Sequence, residues 1–162
     1  MGVAQRLVEL GIELPGVAAP VAAYVPAVRT GTYVYTSGQL PFVDGALPAT
    51  GKVGAQVSAD DAQGLARTAA LNALAAVAAL VHSEGGPEGA EALDRVVRVV
   101  KVVGFVASDP SFTGQPGVVN GASTLLHEVL GEAGVHARSA VGVAALPLDA
   151  PVEVELVVEL TP

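Results

Sequence analysis

The chain has 162 residues, 51% of them hydrophobic, and a formal net charge of −8. That length fits one domain with a sizeable core. Its eight Lys and Arg form no cluster of the kind a phosphate backbone requires, which argues against nucleic acid as a partner, and the absence of cysteine excludes disulfides and thiolate chemistry.

The first ten residues, Met1 to Leu10, lack the apolar centre of a signal peptide. The most apolar run, Ala69 to Val81, is too short to span a bilayer and contains Asn72. A cytoplasmic protein with no membrane partner is therefore expected. Much of the apolar content is Ala and Val, whose small side chains suit close backbone packing and subunit contacts.

Gln5 to Leu10 predicts a short helix stopped by Gly11. Leu14 to Pro26, rich in Pro and Ala, predicts an extended surface segment. Val28 to Gln39 reads as two short strands joined at Thr30-Gly31, with Tyr33, Tyr35 and Ser37 on one face. Asp44-Gly45 is a turn signal within a loop running to about Val57. Ser58 opens the first long helix, with Ser58 and Asp61 spaced as a capping box and Asp60 and Asp61 at the positive end of the dipole. Ser83 to Gly89 reads as a flexible loop.

Arg95 to Ala107 is ambiguous between helix and strand, and its density of valine favours a buried strand. Gln115 to Leu130 has the 3.6-residue apolar period of a helix, ended by Gly131 and Gly134. Ser139 to Leu146 and Val152 to Leu160 are strands, with a connection from Pro147 to Pro151 short enough for a hairpin. The order strand, strand, helix, strand, helix, strand, strand predicts an α+β fold, a mixed sheet with two helices packed on one face. The other face must then be polar or covered by another chain.

Arg138 heads the candidates for chemistry. Its planar fork matches a carboxylate in bidentate fashion, and the small neighbours Ala137 and Ala140 leave room for a ligand; the competing reading is a surface or salt-bridging arginine. Glu153, on a largely apolar strand, could have a pKa raised enough for water activation. Glu155 and Glu159 share its face, and alternation alone does not choose among the three. Tyr24, Tyr33, Tyr35 and Ser37 supply hydroxyls. No metal site is expected, since His82, His127 and His136 are scattered. His136, two residues before Arg138, could line a site, although a structural role is the commoner one. A hairpin about Asp149 would place Arg138 opposite about Leu160 and Glu153 opposite about Ala145, roughly 23 Å apart along the sheet. On that geometry one small substrate reaches both only across an interface between two copies.

Four segments in order along the chain resemble the YjgF/YER057c/UK114 family, the Rid proteins. Tyr35-Thr36-Ser37-Gly38-Gln39-Leu40-Pro41 is similar to the family's T-S-G-Q segment. Asn120 matches its helix asparagine. Ala137-Arg138-Ser139 followed by Leu146-Pro147 resembles its A-R-S…L-P signature, and Val152-Glu153-Val154-Glu155 its closing strand. The resemblance implies a single chorismate-mutase-like domain over 1–162, with residues 1–14 as an N-terminal extension, and a homotrimer with clefts between subunits.

It further implies hydrolysis of reactive enamines and imines derived from amino acids, giving 2-oxo acids and ammonia with no cofactor. By position, Arg138 would hold the substrate carboxylate, Glu153 would activate water, and Tyr24, Ser37, Gly38, Asn120 and Ala140 would line the pocket. The chain departs from the family where Ala140 replaces a frequent Cys, Gly142 a Glu and His136 a Pro, and it resembles a longer subgroup. Two alternatives follow from the same residues: a non-catalytic binder of small carboxylates or 2-oxo acids, and the RNA cleavage after which some members are named, which the acidic charge disfavours.

Overall fold

A computed structural model describes residues 1–17 and 23–162. A short helix α1, Val3–Glu9, precedes the sheet and ends where Gly11 adopts a left-handed backbone, φ 66°. Strands β1, Ala27–Thr30, and β2, Tyr33–Thr36, form a hairpin across Gly31, φ 59°. Helix α2, Ala59–Ser83, starts as its sequence predicts, with the Ser58 hydroxyl accepting from the Asp61 amide at 3.1 Å. Strand β3, Val96–Ala107, helix α3, Gln115–Leu130, and strands β4, Ala137–Val143, and β5, Val152–Leu160, follow. Of the expected extended segment, residues 18–22 lie outside the described residues, and its remaining residues carry neither helix nor strand.

The five strands lie in the order β1-β2-β5-β3-β4, antiparallel except for β3 with β4. Both long helices cover one face. Val152, Val154, Leu156, Val158 and Leu160 of β5 are buried beneath them, while Glu153, Glu155, Val157 and Glu159 point to the other face and are only partly covered. Tyr33, Tyr35, Val28 and Val141 are exposed.

The last two strands do not form the expected hairpin. Strand β4 reaches the edge of the sheet by a crossover through α3 and pairs parallel to β3, whereas β5 inserts between β2 and β3. The burial pattern explains the choice. Every second side chain of β5 is fully buried, which suits a central strand, whereas β4 carries Arg138, Ser139 and Gly142 and has no buried residue. The connection is a 3-10 turn, Pro147–Asp149, drawn away from β4 by bonds from the Gly51 amide to the Asp149 carbonyl and from Lys52 Nζ to the Asp149 carboxylate.

Close backbone approach fixes α3 over the sheet. A Cβ at Gly121 would overlap the Gln63 carbonyl oxygen of α2, and one at Gly104 of β3 would overlap the Val119 side chain. Alanines 62, 66, 69, 70, 73 and 76 of α2 are buried in the same core. Helix α2 exceeds the apolar run that the sequence shows and is long and apolar enough to cross a bilayer by length and composition. In this fold 61% of its apolar window is buried.

Candidate functional site

The candidate residues gather into two groups. The first surrounds Arg138. Its Nη1 donates to Asn120 Oδ1 at 2.8 Å and to Ser123 Oγ at 3.2 Å, and its Nη2 donates to the Pro116 carbonyl at 3.3 Å. Asn120 and Ser123, three residues apart, share a face of α3, and the parallel register sets Arg138 beside Val102 on the helix-covered side of the sheet. A guanidinium has five N–H donors, and three are used. Among the described residues no carboxylate lies within 4.0 Å of Arg138. Arg138 is therefore not the salt-bridging arginine of the competing reading, and two donors remain, the number that a carboxylate takes.

Ser123 and His136 were not singled out as a pair by sequence. His136 Nδ1 lies 2.6 Å from the Gly134 carbonyl, and Nε2 lies 2.9 Å from Ser123 Oγ. Carbonyl oxygens only accept, so Nδ1 carries a proton and Nε2 of the neutral ring accepts from the Ser123 hydroxyl. Burial, and then the nearby Arg138 charge, hold the imidazole below its ordinary pKa against the opposing bond to Gly134. Ser123, His136 and Arg138 line a cavity of about 300 Å³ together with His127 and Gly134. The signal for Ser123 was its three-residue spacing from Asn120, which means something only once Arg138 is known to lie beneath that helix face. Ala140 packs partly buried against the core two residues along from Arg138.

The second group lies on the open face. A bridge of backbone bonds between Gln39 and Val154, 2.8 and 3.0 Å, pins the segment after β2 against β5. It sets Gly38 so close to Glu153 that a Cβ there would overlap the Glu153 carboxylate. Ser37 Oγ donates to the Val25 carbonyl at 2.6 Å, which tethers the chain next to Tyr24, whose ring is exposed. Burial pushes the Glu153 carboxyl above its ordinary range, and the neighbouring Glu155 charge adds to the shift. The close approach of Gly38 distinguishes Glu153 from Glu155 and Glu159 where alternation could not. Among the described residues no group of three His, Cys, Asp or Glu could hold a metal ion.

Within one chain the two groups do not meet. Arg138 is level with Val102 and Leu156, and Glu153 is level with Phe105 and Val141. Two strand spacings and three residues of rise separate their backbones by roughly 14 Å, which replaces the longer separation expected from a hairpin. More decisive is that they point to opposite faces of the sheet.

The fold and these two groups define a chorismate-mutase-like α+β protein. The family described as "YjgF/chorismate_mutase-like, putative endoribonuclease" matches residues 4–160, and the chain belongs to it. The protein TCP17 of Trypanosoma cruzi is 46% identical over 98% of this chain and 94% of its own. The crystal structure of Atu1372 from Agrobacterium tumefaciens, described as of unknown function, is 44% identical, with a TM-score of 0.85 over 98% of this chain and 91% of that one. TdcF of E. coli, crystallised with bound serine, is 27% identical, with a TM-score of 0.58 over 92% of this chain and 94% of that one.

Proposed function

We propose that the protein hydrolyses 2-enamino and 2-imino acids, the reactive intermediates of cytoplasmic amino acid metabolism, to 2-oxo acids and ammonia, in clefts between the subunits of a homotrimer. The observation that carries this reading is the state of Arg138. Its guanidinium is held by three neutral acceptors, has no acidic partner among the described residues, and keeps two donors for a ligand carboxylate. The serine bound to TdcF is a ligand of the same class, a small amino acid with one carboxylate.

The substrate carboxylate docks on Arg138, with Asn120 holding the guanidinium and Ala140 leaving space beside it. A neighbouring copy brings Glu153 to the substrate from its open face, together with Ser37, Gly38 and Tyr24. An enamine first tautomerises to the imine, its nitrogen losing a proton as C3 gains one. Glu153, with its raised pKa, then takes a proton from water as the oxygen bonds to the C=N carbon. The nitrogen is protonated, and the carbinolamine expels ammonia as its hydroxyl proton leaves. One water is consumed, one C=N bond becomes C=O, and no electrons are transferred, so the residues present suffice without a redox group.

Arg138→Ala tests the reading. With an imino acid generated in situ by an amino acid oxidase, the variant's KM should rise on the order of a hundredfold through loss of two charged hydrogen bonds. Hydrolysis at the wild-type rate and KM would overturn it. Binding of 2-oxobutyrate to the wild-type protein without any turnover would instead favour the non-catalytic carboxylate binder.

A further inference from the structure

We propose that Ser123 and His136 form a proton-linked second rank behind Arg138, so that an anion binding there draws a proton onto His136 and gains the Ser123 hydroxyl as an additional donor. This rests on the reading of Arg138 as a carboxylate anchor. The three side chains line one cavity and are joined in series, His136 Nε2 to Ser123 Oγ at 2.9 Å and Ser123 Oγ to Arg138 Nη1 at 3.2 Å.

A serine hydroxyl has one proton and two lone pairs. With His136 neutral, the proton goes to Nε2 and one lone pair accepts from Arg138, so no donor is left for a ligand. Protonation of His136 reverses the first bond. Nε2–H then donates to Oγ, both lone pairs are occupied by His136 and Arg138, and the hydroxyl proton is released toward the cavity. Nδ1 keeps its bond to the Gly134 carbonyl in both states. The imidazolium also adds a second positive charge beside Arg138, unfavourable in the empty cavity and favourable once an anion occupies it.

The surroundings permit this coupling. The charged or titratable groups on the elements packed around His136 are Arg138 two residues on in β4, His127 and Glu128 on α3, Glu132 in the turn Gly131–Gly134, and Arg98 and Lys101 on β3. Glu128 is paired with Arg67 at 2.6 Å, and Glu132 is exposed. Neither carboxylate lies within 4.0 Å of the imidazole among the described residues. The charge that acts on His136 is the Arg138 cation, which adds to burial in lowering the imidazole pKa.

Calorimetry with 2-oxobutyrate, from about pH 8 to about pH 5.5, decides the matter. Binding to the wild type should tighten by about tenfold as the pH falls, equivalent to one unit of pKa displacement. It should also take up protons, seen as a dependence of the heat on the buffer's ionisation enthalpy. His136→Gln should bind at every pH with a flat profile, and Ser123→Ala should keep binding at high pH with a weakened slope. A flat wild-type profile, or an unchanged slope in His136→Gln, overturns the coupling while leaving the carboxylate anchor in place. Absence of binding at every pH overturns both, and Arg138→Ala controls for binding elsewhere.

Discussion

Glu153 separates from its two neighbours at the scale of single residues because the Gln39–Val154 bridge lays Gly38 over it. Its stability signature follows from the direction of its shift. A carboxyl whose pKa is higher in the folded than in the unfolded chain binds more protons when folded, across the window from its ordinary 4.5 upward. Stability therefore falls as pH rises through that window, and the full cost is present at neutral pH. Glu153→Gln should melt higher than the wild type at neutral pH, by about 2 °C, with the difference shrinking as the pH falls below the window. Thermal melts of both proteins across that range check this, and a difference that grows on acidification would reverse the assignment.

Sequence made Arg138 and Glu153 visible because a fork-shaped cation beside alanines and an acid on an apolar strand are unusual locally. Alternation could not rank Glu153 over Glu155, and only the family resemblance picked it out, since the physical distinction comes from a loop 115 residues away in the chain. Ser123 was invisible for the same reason, being an ordinary helix serine until β4 passes beneath it.

Periodicity made most elements legible, with the N-cap at Ser58 and the stop at Gly131 bracketing two helices. Strand order was not legible, because a short connection between β4 and β5 is compatible with a hairpin and nothing local reports the crossover through α3. The glycines of α3 also differ in ways that only packing reveals. At Gly121 an added methyl meets the Gln63 backbone carbonyl, which cannot rotate away, while at Gly117 nothing lies within 4 Å. Gly121→Ala should lose about 1–3 kcal/mol by overpacking, and should weaken 2-oxo acid binding because Asn120 and Ser123 ride on the displaced helix. Gly117→Ala should be neutral or gain up to about 1 kcal/mol. Chemical denaturation of the two variants measures both, and equal effects would mean that α2 and α3 are not in rigid contact.

Over the whole molecule, the decisive fact is that Arg138 points toward the helices and Glu153 away from them. A second copy is needed to unite them, and the open face offers what a contact requires, with Tyr33, Tyr35 and Val141 exposed beside half-buried Glu153. A contact between two different surface patches closes into a ring when its rotation allows, so each of the proposed clefts takes Arg138 from one copy and Glu153 from the next. This makes a strong prediction for mixtures. Arg138→Ala and Glu153→Gln should each be nearly inactive alone. Dissociated, mixed in equal amounts and reassembled at random, they should recover about a quarter of wild-type imine hydrolysis, since a cleft is intact only when its arginine comes from the Glu153→Gln copy and its glutamate from the Arg138→Ala copy. Mixing without exchange of subunits should recover nothing. If subunits exchange and activity still fails to return, then both residues act within one chain, and the two-copy cleft is wrong.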